Sequence, residues 1–224
     1  MNRNSAAQRI RQIFANYISL RQADSNLVQA LNDGKLYELF VLSHVIDDLR
    51  RRGFTLIFQP NVRHPSALQF KASPGRLATS DSHFTVTGPD GTGYWLFVDI
   101  EFDSLGHFQS GANDNSRRHE IDIVVCTTDL GYPRHDEIAL GVECKAWANF
   151  TKGLVKEALG VRRELSLLDS PQSSILSSAQ LVTAKVSVPA SPASEFWLAF
   201  IDPKGLNYAQ SPAVYGVELK HLQP

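Results

Sequence analysis

Two short apolar runs joined by a turn-rich link, residues 119 to 147, constrain this chain more than any other stretch. They read His119-Glu120-Ile121-Asp122-Ile123-Val124-Val125-Cys126 and Ile138-Ala139-Leu140-Gly141-Val142-Glu143-Cys144-Lys145-Ala146-Trp147. β-branched runs of this length, separated by a link holding Asp129, Gly131, Pro133 and Asp136, predict two strands of an antiparallel hairpin. Side chains alternate across a strand. That parity puts Ile138, Leu140, Val142 and Cys144 on one face, and Ala139, Gly141, Glu143 and Lys145 on the other. In the first run Ile121, Ile123 and Val125 are core, and Asp122 points the other way. Pairing then brings Asp122 next to Glu143 and Lys145. The same parity separates Cys126 from Cys144, so no disulfide is expected.

Two crowded carboxylates repel, and burying them is costly unless a cation or a proton compensates. A hard divalent cation does so with oxygen ligands, and Mg²⁺ takes one or two carboxylates plus substrate phosphate. Such an ion acidifies water and stabilises charge on a transferring phosphoryl group. Lys145 then orients the attacking water or neutralises charge on the phosphorane. The competing account is a solvent-facing Glu143–Lys145 pair with Asp122 a surface residue, and the strands alone leave both open.

At 224 residues, with 43% hydrophobic and 20% charged residues, the chain has the make-up of one fairly large globular domain. A net charge of −1 means that any phosphate-binding surface is a local patch rather than a general basic coating. The first residues lack an apolar signal-like core, and no stretch approaches membrane-spanning length, so a cytoplasmic protein without membrane contact is expected.

Residues 5 to 20 carry Ile10, Ile13, Phe14, Tyr17 and Ile18 at helical spacing, a helix that packs on the body or on a second copy. A second helix is expected over 36 to 52, after Asp33-Gly34 and before Gly53. On a helical wheel Tyr37, His44, Asp47, Asp48 and Arg51 form one side, and Leu39, Leu42, Val45, Ile46 and Leu49 the other. Glu38 falls inside the apolar arc. It is either a first-turn residue favoured by the helix dipole or a ligand aimed at the same cation as Asp122 and Glu143. Residues 54 to 60 read as a strand, and 61 to 82 as a surface excursion with Lys71 and Arg76 as phosphate candidates. A hairpin spans 83 to 103, with Leu96, Val98, Ile100 and Phe102 as core and Asp99 and Glu101 as secondary acidic candidates. A mobile loop is expected over 106 to 118, delivering Arg117, Arg118 and His119 to a phosphate backbone. Thr151 caps a helix running to about Leu168, with Leu154, Ala158, Val161, Leu165 and Leu168 buried and Arg162 and Arg163 outside. Lys152 and Lys156 on that helix are the expected phosphate-facing pair, against the alternative of a solvated basic face. Residues 170 to 194, with an apolar centre at Leu181-Val182, resist assignment, while 196 to 202 and 214 to 219 read as strands.

A helical Glu, a strand, a strand bearing Asp, a strand bearing Glu-x-Lys, then helix and strand resemble the core order of the PD-(D/E)xK nuclease superfamily. The matching residues are Glu38, Asp122 and Glu143-Cys144-Lys145. The proline usual before the Asp is replaced by Ile121. The resemblance implies an α/β fold, a mixed sheet flanked by helices with a restriction-endonuclease-like αβββαβ core. That core would cover 33–168 plus 195–202 of a single nuclease domain, with a helical extension over 1–32 and a C-terminal strand region over 203–224. It further implies Mg²⁺-dependent phosphodiester hydrolysis, with Mn²⁺ substituting. Asp122, Glu143, Glu38 and the Cys144 carbonyl would hold the ion, with Lys145 as the catalytic cation. The implied substrate is nucleic acid, DNA favoured, cut by an endonuclease; a homodimer and a place in host defence or repair follow by analogy alone. Two other classes stay open: a catalytically inactive nucleic-acid or protein-binding module on the same fold, and a metal-dependent phosphatase of small substrates.

Overall fold

The computed structural model describes residues 1–18, 31–65, 68–71, 73–111, 113–176 and 186–224. Leu181 and Val182 lie outside that set. The protein is mixed α/β. One seven-stranded sheet runs in the order β1 (Thr55–Gln59), β2 (His83–Thr87), β3 (Gly93–Asp103), β4 (Arg118–Cys126), β5 (Ile138–Lys145), β8 (Glu195–Phe200), β9 (Val217–His221). The first five are neighbours in sequence and pair antiparallel. β5, β8 and β9 pair parallel, and parallel neighbours need a long crossover. The first crossover carries helix α4 (Lys152–Leu165) and a separate two-stranded ribbon, β6 (Leu167–Ser173) with β7 (Ser187–Ser191).

Helices cover both faces. Leu36, Tyr37, Phe40 and Val45 of α2 (Asp33–Arg51) and Ile10 and Phe14 of α1 (Arg3–Phe14) share one apolar cluster with Leu96, Val98, Ile123 and Val142. Leu154, Ala158 and Leu165 of α4 share the opposite cluster with Ile100, Ile121, Val124 and Phe196. α1 therefore packs on its own body. α2 starts where Asn32 caps it, its side chain accepting from the Lys35 N–H at 2.9 Å.

Several sequence expectations are corrected. Tyr37 is fully buried rather than on the polar side, its hydroxyl donating to the Leu222 carbonyl at 3.1 Å. The loop after β3 contains a short helix, α3 (Leu105–Ser110), capped by Ser104. α4 ends at Leu165, so Leu168 belongs to β6 and is exposed. Arg162 is inside, 3% exposed, and donates to the carbonyls of Tyr215 and Ser194. It lies four residues from Ala158 and three from Leu165, directly on the buried stripe. Ile138 sits in the α4-side cluster and Ala139 in the α2-side cluster, because the register slips between Val125 and Cys126 and inverts the parity beyond it.

A second inversion matters more. Val98 faces α2 while Ile100 faces α4, and Ile123 faces α2 while Ile121 faces α4. Residues two apart should share a face. Alternation breaks in both strands at once, at Asp99 and at Asp122. The paired rows Val98–Ile123 and Ile100–Ile121 flank the break. Asp99 has φ of 53°, the left-handed region that costs a residue with a Cβ roughly 1–2 kcal/mol. Backbone held this way clusters at functional sites.

Candidate metal centre

The double break turns two acidic side chains toward the first turns of α2. Glu38, Asp99 and Asp122 each offer an oxygen, and these oxygens lie within 4.8 Å of one another. Asp99 is 3% exposed, and its Oδ2 has no hydrogen-bond partner among the described residues. Its Oδ1 accepts from the Lys35 ammonium, which also donates to Glu38 Oε2 at 2.7 Å. Burial pushes the Glu38 carboxyl up to about 7; the charges of Asp122 and Asp99 add to this, and Lys35 opposes it. Burial works against the Lys35 charge, but its bonds to Asp99 and Glu38 outweigh it and hold the ammonium above the usual lysine range.

Asp122 connects this group to the strand beside it. The β4–β5 ladder ends at Ile123–Val142. One residue on, Asp122 Oδ2 accepts the backbone N–H of Cys144 at 2.7 Å. Burial raises the Asp122 carboxyl, against that bond and the Lys145 charge. Glu143 is 8% exposed and raised by burial and by Asp122. It is not part of the three-oxygen group. Lys145 Nζ is 3.2 Å from Glu143 Oε2 and 3.4 Å from Glu157 Oε2 of α4. Burial lowers its basicity, and the neighbouring carboxylates, Glu143 first, more than restore it. The Glu143–Lys145 pair is therefore half-buried between β5 and α4, which disagrees with a solvent-facing edge pair. Cys144 is half-buried, and desolvation first, then the charges of Asp122, Glu38 and Glu143, push its thiol well above the ordinary range.

The structure brings Glu38 to Asp122 and keeps Glu143 and Lys145 within electrostatic reach of Asp122. The basic candidates divide. Lys152 and Lys156 are exposed on α4. Arg117 and Arg118 both bind Asp103, at 3.0 and 2.9 Å, and the Arg118 guanidinium lies 3.2 Å from the Tyr132 ring centroid. His119 is half-buried near the Phe102 ring. Arg118 sits four residues before Asp122, about 13 Å along the strand. Sequence reasoning ranked Asp99 too low and missed Lys35 and Glu157. The signals were present: an acid inside an apolar strand, and a lysine one helical turn before Glu38. Lys71, whose Nζ donates to the Arg76 carbonyl at 2.9 Å, lines a cavity of about 340 Å³ with Lys35, Glu38, Leu39, Phe70 and Asp99.

No helix among the described residues is long and apolar enough to cross a membrane. Comparisons with protein-family models, with curated proteins and with solved structures return no match.

Proposed function

We propose that the chain is a metal-dependent phosphodiesterase of nucleic acid, DNA favoured, and that α2, β3, β4, β5, α4 and β8 form a restriction-endonuclease-like core. One observation carries the reading. Carboxylates from a helix and two strands, 38, 99 and 122 in sequence, converge within 4.8 Å in a half-buried site whose innermost member has an unpartnered oxygen. Left alone, such an oxygen costs about 1–3 kcal/mol. Oxygen donors of this kind suit Mg²⁺ or Mn²⁺. Glu38, Asp99 and Asp122 would hold the ion, with Glu143 and the Cys144 carbonyl as further ligands on the β5 side. A divalent cation there supplies positive charge to the phosphate and lowers the pKa of water.

The chain's own residues account for the rest. Lys145, fixed by Glu143 and Glu157, places a donor beside the carboxylates, where it orients a water or meets charge on the phosphorane. A water oxygen forms the new P–O bond, the bond to the departing oxygen breaks, and one proton of that water ends on the departing oxygen, which leaves as an alcohol hydroxyl. Lys152 and Lys156 offer charge to flanking phosphates. A second reading, hydrolysis of small phosphate esters, is favoured by the cavity of about 340 Å³ beside Glu38 and Asp99.

The test is incubation with linear, circular and single-stranded DNA, RNA and free nucleotides, each with Mg²⁺, Mn²⁺ or EDTA. Polymer cleavage that needs the cation and disappears in Lys145→Ala is expected. Release of phosphate from nucleotides alone selects the second reading. A folded protein inert on every substrate overturns both.

A further inference from the structure

Lys35 occupies an unusual place for a helix lysine. Its side chain is about a quarter exposed, and its ammonium lies against Glu38 and Asp99 rather than in water. It brings one positive charge to a group of three carboxylates, and it satisfies only one oxygen of Asp99, leaving Oδ2 buried with no partner among the described residues. A divalent cation matches that charge deficit better, and its coordination sphere of six or more oxygens has room for the second Asp99 oxygen. A lysine stem is long and rotatable, and the cavity bounded by Lys35, Leu39, Phe70 and Lys71 adjoins the group.

We propose that Lys35 is a tethered cation on the Glu38–Asp99–Asp122 position, and that a divalent ion binds there only as the ammonium withdraws toward the adjoining cavity. The inference rests on the reading of this group as a metal site. Lys35 thereby sets the affinity of the position. The ion must displace a bound positive charge, so the observed Kd is weaker than the three carboxylates alone would give. Lys35 is a positioning residue here, acting through Glu38 and Asp99.

The experiment is titration of the full chain with Mn²⁺, followed by calorimetry and by the electron paramagnetic signal of the free ion. Lys35→Met keeps the stem and removes the charge. It is expected to tighten Mn²⁺ binding by at least about tenfold, since a unit charge a few ångströms from the ion is removed. Asp99→Asn should weaken binding in both backgrounds. A second measurement covers failure of Lys35→Met to fold: acetic anhydride labelling of wild-type lysines, read by mass spectrometry. Mn²⁺ should increase labelling of Lys35 as its ammonium leaves the carboxylates. Wild type that binds Mn²⁺, with an affinity unchanged or weakened in folded Lys35→Met or with Lys35 labelling unmoved, overturns the role of Lys35 and leaves the metal site standing. No Mn²⁺ binding by wild type or variant overturns both.

Discussion

Replacing Glu38 by Gln tests the buried acidic group through stability, without any assumption about substrate. Its carboxyl is raised from 4.5 to about 7, chiefly by burial. A folded-state pKa above the unfolded one means that folding favours the protonated form. That contribution is complete below pH 4.5 and is lost as pH rises through about 7. A rise of that size corresponds to about 3 kcal/mol. The side chain is 15% exposed, so solvent screening removes little of it. For a domain of this size each kcal/mol moves the melting temperature by about 2–4 °C. Thermal unfolding in EDTA, from pH 4 to pH 8, is the assay. Wild type should lose roughly 6–12 °C relative to Glu38→Gln across that range, with the two near parity at the acid end. Mg²⁺ or Mn²⁺ at a hundredfold excess over Kd should return about 2.7 kcal/mol to wild type and less to the variant. If Glu38→Gln melts lower than wild type at pH 8, with the metal shift intact, Glu38 is a surface residue of the first turn and the reasoning fails.

Asp122→Ala, Glu143→Ala and Lys145→Ala should each abolish cleavage in a chain that remains folded by circular dichroism, and the double changes should add almost nothing further. Lys152→Ala with Lys156→Ala should flatten the salt dependence of nucleic-acid binding by about one unit of slope per lost phosphate contact, whereas an unchanged slope makes these lysines a solvated face. Arg117→Ala and Arg118→Ala should weaken nucleic-acid binding little, since both guanidinium groups are held by Asp103; filter binding at several salt concentrations checks this. Arg162→Met strips the buried Ser194 carbonyl and the part-buried Tyr215 carbonyl of their donor, at a cost of roughly 2–4 kcal/mol, and a melting temperature within two degrees of wild type would contradict that account.

The parts of the fold legible in the sequence are those where local rules act alone. The existence and bounds of β2, β3, β4 and β5 are legible from apolar, β-branched runs and turn chemistry, and those bounds shift by a residue or two. α2 is legible from its apolar arc, and Glu38 from its misplacement in that arc. The β6–β7 ribbon is not, because its residues 167 to 173 are mostly exposed and polar and alternate with nothing. The site was half legible. Parity correctly separates Asp122 from Ile121, yet it puts Ile121 on the face of Ile123 and sends Asp99 and Ile100 to the wrong sides, since it presumes an unbroken pleat. The left-handed φ of Asp99 is only faintly signalled by residue type: Asp adopts it more often than most non-glycine residues, yet most Asp residues do not. Lys35 escapes for another reason: its partners are separated from it by three residues in one case and 64 in the other. Arg162 was misplaced by the habit of putting charge outside, although its position on the helix is a core position.

The bond from the Cys144 amide to Asp122 has a consequence for observation. Where the β4–β5 ladder stops, a side-chain oxygen replaces the carbonyl that a further rung would have supplied. The proton on that nitrogen thus answers to the charge state of a carboxylate rather than to another peptide group. Its resonance in a nitrogen–proton correlation spectrum should move when Asp122 gains a proton or shares its electrons with an ion. Its exchange with deuterated solvent should accelerate in Asp122→Ala, while the Val142 amide, on the last regular rung of the ladder, keeps its protection. One backbone signal, free of any engineered label, then serves as a gauge of what Asp122 is holding.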